Sequence, residues 1–119
     1  MEKFRNLKAW QKAHELVLSI YKARGNFPAE EKFVLTPQIT RAAISVAANL
    51  AEGTKRKSAM DQRHFFNMAE TSLEEVKYYL ILAGDLGYIT EAELSCIMEL
   101  AQDAGRLTNG LVNKAVPNS

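Results

Sequence analysis

Six polar residues, Gln38, Arg41, Ser45, Asn49, Glu52 and Arg56, recur every three or four positions through an otherwise apolar stretch. A hydroxyl, a carboxylate and two guanidiniums at helical spacing could serve nucleophilic or acid–base chemistry if a base stood nearby. None is in sight: the chain has two histidines, His14 and His64, and neither shares a face with Ser45. Asp61 and His64 make a single D-x-x-H, whereas a di-iron carboxylate bundle needs two E-x-x-H motifs and two further carboxylates. Helical ribonucleases that pair an arginine with a histidine need closer spacing than Arg5 to His14 offers. No glycine-rich phosphate loop is present. A non-enzymatic protein without cofactor or metal is the expectation.

The run Lys55-Arg56-Lys57 points to a different chemistry. It directly precedes Ser58, a helix-capping residue type, and unpaired backbone N–H groups at a helix start favour anions. Lys3, Arg5, Lys8 and Arg63 join it if the chain folds as argued below. Together these seven are the candidate contacts for an RNA or DNA backbone, which lysine and arginine hold without reading sequence. A solvated charged turn is the competing reading. No aromatic residue interleaves with the basic run, so base stacking there is not expected.

Four amphipathic segments must position these residues. The first spans about Asn6 to Arg24, with Leu7, Trp10, Ala13, Val17, Ile20 and Tyr21 on one face, Asn6 as cap and Gly25 as left-handed stop. Phe27, Phe33 and Leu35 of the following connection are expected to tuck onto the helices. The second segment starts at Thr36, with Pro37 in the first helical position, and runs to about Lys55. Ser58 caps the third, with Asp61 as its capping-box partner; Phe65, Ala69, Leu73, Val76, Leu80 and Ala83 form its stripe and Gly87 ends it. Thr90 and Glu93 repeat the box for the fourth, whose stripe is Leu94, Ile97, Met98, Ala101, Ala104 and Leu111, with Pro117 closing the ordered chain. Short second and third connections make an all-α, antiparallel up-down-up-down four-helix bundle the natural architecture. One domain covers 1–119, with an ordered core from about 4 to 114.

That topology separates charge. Residues 1–64 carry 12 Lys+Arg and 6 Asp+Glu, and residues 65–119 carry 3 and 8. The start of the first helix, the second turn and the end of the fourth share one basic end, including Lys12 and Lys114. Glu30, Glu31, Asp85, Glu91 and Glu93 gather at the other, beside Lys22, Arg24 and Lys32. The net charge of +1 hides this polarity.

The polar line lies within about 60° of one direction on the second helix, while Ile39, Val46 and Leu50 point to the core. The remaining arc holds Ile44, Ala47, Ala48 and Ala51, where a solvated helix would carry lysine and glutamate. Two contact faces are implied. The line is an exposed face, a network covered by another helix or subunit, or a site. If covered, Arg41 and Glu52 need partners, and Ser72 and Glu75 of the third helix are at suitable spacing. Packing specificity rather than catalysis is the expected role.

The single cysteine, Cys96, sits among apolar neighbours, permits no intrachain disulfide and is expected to be buried. At 47% hydrophobic and 24% charged residues the composition suits a globular domain. The N-terminal stretch MEKFRNLKAW lacks a signal-peptide core, and no apolar run reaches the roughly 20 residues of a membrane span, so a cytoplasmic location is expected.

Four motifs carry a family resemblance. Phe4, Leu7, Trp10, Gln11 and Ala13 match F-x-x-L-x-x-W-Q-x-A; Phe27, Pro28 and Glu31, with Leu35 following, match F-P-x-x-E. Gln38, Arg41, Ala42, Ser45, Val46, Asn49, Leu50, Ala51, Glu52 and Gly53 match Q-x-x-R-A-x-x-S-[IV]-x-x-N-[IL]-A-E-G. Ala69, Ser72, Leu73 and Glu75 match A-x-G-S-L-x-E, with Thr71 where glycine is usual. The chain thereby resembles the four-helix-bundle proteins encoded in intervening sequences of bacterial 23S rRNA genes, over roughly residues 4–112. It is also similar to the accessory protein of diversity-generating retroelements. The resemblance implies a homo-oligomer, a pentameric ring, with RNA or DNA or an unknown protein as further partner. An oligomeric scaffold without nucleic-acid binding is the alternative.

Overall fold

The computed structural model describes residues 2–115. Helix α1 spans Lys8–Ala23, α2 Leu35–Lys55, α3 Ala59–Asp85 and α4 Glu91–Lys114. Among the described residues there is no strand, and short 3-10 turns at Lys3–Asn6, Arg24–Asn26 and Ala29–Glu31 complete the chain. Neighbouring helices pack in a closed cycle, α1 on α2, α2 on α3, α3 on α4 and α4 back on α1. This is the four-helix bundle expected from the apolar stripes. It measures 49 × 26 × 23 Å.

The core follows the stripes with shifts of register: Leu16 rather than Val17, Phe66 rather than Phe65 and Val112 rather than Leu111 are buried, and Tyr21 is exposed. Leu16, Ile20, Ile39, Val46, Leu50, Leu73, Val76 and Leu80 are fully buried, with alanines 13, 43, 69, 83, 101 and 104 between them. Such small side chains let helix axes approach closely. Phe66, not Phe65, is the aromatic that enters the core, because it seats on Gly53 of α2. A Cβ at Gly53 would lie 2.5 Å from Phe66 Cε1, so hydrogen is the only side chain the contact admits.

Helix ends were legible where a side chain does the capping. Ser58 Oγ accepts from Asp61 N at 3.0 Å. Thr90 and Glu93 form a full capping box, and their hydrogen bonds hold the Glu93 carboxyl below the usual carboxylate range. Gly87, at φ +80°, closes α3: Tyr88 N donates to Ala83 O and Gly87 N to Gly84 O, a Schellman closure.

Four expectations are corrected. Asn6 does not cap α1; the 3-10 turn of Lys3–Asn6 precedes it and Leu7 holds the cap position without a side-chain bond. Gly25 is not left-handed, since α1 unwinds into a 3-10 turn instead. Helix α2 begins at Leu35, before Thr36, because the Glu31 carboxylate reaches Leu35 N at 3.3 Å; Pro37 falls third, where its missing N–H still costs nothing. Phe27 and Leu35 do pack, but Phe33 is 84% exposed. The expected stop at Pro117 lies outside the described residues.

Candidate nucleic-acid interface at the basic end

The α2–α3 turn is short and tied. Arg56 N donates to Gly53 O, and the Gln62 amide donates to Arg56 O at 3.0 Å, so the basic run is held in a defined arch. Lys55, Arg56, Lys57 and Arg63 are all exposed on it, as are Lys3, Arg5 and Lys8 around the start of α1 and Lys114 at the end of α4. Arg5 pairs with Glu2 and Arg56 with Glu52. Among the described residues no carboxylate lies within ion-pairing distance of Lys3, Lys8, Lys55, Lys57, Arg63 or Lys114. The helix start contributes less than the sequence implies. Ser58 takes the N–H of Asp61, and the Asp61 carboxylate stands in the first turn, where it opposes an incoming anion.

Aromatic rings stand at this end as well, contrary to the sequence reading. Phe4 meets Trp10 edge-on, with centroids 5.0 Å apart, and Trp10 stacks on His14, also at 5.0 Å and within 6° of parallel. The Arg56 guanidinium lies 4.4 Å above the Phe65 ring, which His64 meets edge-on. The signal was present as Trp10 and His14 four residues apart, one helical turn, next to Lys8 and Lys12.

The polar line of α2 divides. Its centre is half-covered and bonded across to α3: Ser45 Oγ and Ser72 Oγ are 2.8 Å apart, and Asn49 Nδ2 donates to Ser45 O at 2.9 Å and to Ser45 Oγ at 3.0 Å. These partners cannot take a proton from Ser45, so its hydroxyl is occupied rather than activated. The flanks are different. Gln38 and Arg41 are exposed, and Glu52 and Arg56 pair with each other at 2.8 Å in solvent. Glu75 is also exposed and accepts a 3.5 Å contact from Tyr79 rather than pairing with Arg41. The arc beyond Arg41 places Ala47 and Ala51 half-buried, while Ile44 and Ala48 face outward.

Asp61, His64 and His14 are exposed, and no group of three metal-ligating side chains occurs among the described residues. Cys96 is exposed rather than buried. It points into an open groove between α1 and α4 beside Ser19, Lys22 and Leu100, because Ile97 takes the core position. No helix among the described residues is long and apolar enough to cross a membrane.

A family model for the 23S rRNA-intervening sequence protein matches residues 5–110. The chain belongs to that family. A crystal structure of a protein of unknown function from the S23 ribosomal protein family of Bacteroides thetaiotaomicron VPI-5482 has the same fold. It aligns at TM-score 0.81 and 26% identity, covering 87% of this chain and 97% of that one. No curated protein matches the chain. Within the helix-two motif, Ser45 bonds to Ser72 and accepts from Asn49, while the terminal Gly53 admits Phe66.

Proposed function

We propose that this member of the 23S rRNA-intervening sequence family is a non-enzymatic, cytoplasmic homo-oligomer that holds RNA or DNA by its phosphate backbone at the basic end of the bundle. The observation that carries this reading is the set of exposed, unpaired cations there: Lys3, Lys8, Lys55, Lys57 and Arg63. Lysines that stabilise a fold are generally paired or packed; these are neither. Self-association is supported by the apolar side chains that α1 and α2 leave open, Leu18 at 57%, Tyr21 at 44% and Ile44 at 43% exposure, beside Ala48. A pentamer would bring five basic ends together and multiply a weak patch by avidity.

Light scattering on the protein as purified tests the assembly: a pentamer has five times the 13.3 kDa chain mass. Binding of a labelled oligonucleotide across a salt series tests the ligand. Affinity should fall steeply with salt, with a log–log slope set by the phosphates neutralised. A defined oligomer with no nucleic-acid affinity at low salt would transfer the assignment to a protein-binding scaffold.

A further inference from the structure

The inference rests on the nucleic-acid reading and concerns which form of nucleic acid the basic end accepts. We infer that it takes a single strand, with an unpaired base stacked on His14 as the next layer of the Trp10–His14 stack. Three observations converge. First, the rings form a column. Trp10 is half-buried, Phe4 closes its edge, and the near-parallel His14 lies against it in an exposed position. The Phe4 contact is accounted for by fastening the 3-10 turn to α1; nothing in the fold requires a flat ring stacked at position 14. An exposed, oriented π-face is what an unstacked base seeks.

Second, cations border the column. Phe4 lies between Lys3 and Arg5 in the same turn, and Gln11 Nε2 donates to Arg5 O at 2.8 Å, tying that turn to α1 one turn from His14. Across the seam, the Lys3–Asn6 turn packs on α2, and Arg24 Nη1 donates to Thr40 Oγ1 beyond the other end of α1. The two helices therefore run antiparallel, and the exposed, unpaired Lys55 at the end of α2 stands at the same end of the bundle as that turn.

Third, a second station of like chemistry stands at the end of α2. The Arg56 guanidinium, held by Glu52 at 2.8 Å, stands 4.4 Å over the Phe65 ring. Guanidinium planes also accept stacked bases. A strand crossing this end of the bundle would therefore meet two stacking surfaces and the Lys55 ammonium. A duplex can use the cations alone, because its bases are already stacked and paired.

Trp10 is the only tryptophan, so its emission reports on the column directly. The experiment titrates the full-length protein with a single-stranded pyrimidine oligonucleotide and with a duplex of equal length at low salt. Trp10 emission and the anisotropy of a label on the nucleic acid are read together. The expected result is quenching by the single strand only, and single-strand affinity about tenfold or more above that of the duplex. His14→Ala should lower single-strand affinity about 5- to 100-fold, leave duplex affinity and melting temperature unchanged, and be rescued by His14→Phe. Salt-dependent binding of both forms with equal affinity and unchanged emission would overturn the stacking inference and leave the backbone reading standing. Single-strand affinity untouched by His14→Ala would do the same. No binding of either form would overturn both.

Discussion

The two ends of the bundle carry opposite charge, but they differ more in what the charge does. At the acidic end Glu31 and Glu93 are absorbed into the fold, while Glu30, Asp85 and Glu91 are exposed. Glu31 accepts from Tyr88 Oη at 2.8 Å and from Leu35 N at 3.3 Å, stitching the first connection to the α3–α4 turn and starting α2. Glu93 closes the capping box of α4. At the basic end Lys3, Lys8, Lys55, Lys57 and Arg63 bond to nothing within the described chain. Charge that the fold consumes explains stability, and charge that it leaves over marks where a partner of opposite sign can bind. Clustered like charges also repel, so an unneutralised basic end is a standing cost that a polyanion would relieve.

The largest test of this contrast is at the basic end. Replacing Lys55, Arg56 and Lys57 together by alanine should lower nucleic-acid affinity about 100-fold at low salt and reduce the salt slope by roughly 2 to 3, as measured by anisotropy. Thermal melting should move little, since only Arg56 has partners, the exposed Glu52 and the Phe65 ring. A large drop in melting temperature would show that these cations serve the fold after all. Gly53→Ala, a few residues away, reverses the pattern. Its methyl collides with the buried Phe66 ring, and the fold should lose about 1–3 kcal/mol in urea unfolding.

Changes at the acidic end should act on stability alone. Thr90→Ala removes the α4 cap and should cost about 1 kcal/mol with binding unchanged. A smaller effect follows pH. The Tyr88 hydroxyl, donating to Glu31 and partly desolvated, has its pKa raised from 10.0 to about 12. A raised folded-state pKa means its contribution is complete below pH 10 and is lost as pH rises through about 12. Tyr88→Phe should flatten that alkaline decline in a series of melts. Glu93 has the opposite sign: its depressed folded-state pKa gives stability present above its unfolded pKa and lost as pH falls through the lower folded value.

The amino-acid sequence by itself determined the four helices, most of their stripes, the caps at Ser58 and Thr90 and the stop at Gly87. Each of these depends on residues within about one turn of one another, so local spacing suffices. The Glu31 cap of Leu35 was equally local and was legible in principle. The polar line was visible as a line, but its division was not. Ser45 and Asn49 face α3 while Arg41 and Glu52 face solvent because the crossing of α2 over α3 covers only part of that arc. The same holds for Phe66 displacing Phe65 and Ile97 displacing Cys96, where adjacent residues compete for one core direction and the neighbouring helix chooses. The column of Phe4, Trp10 and His14 needed a 3-10 turn folded back onto α1. Such facts are relations between surfaces brought together by the chain's return, and periodicity within one helix records only the direction in which a surface lies.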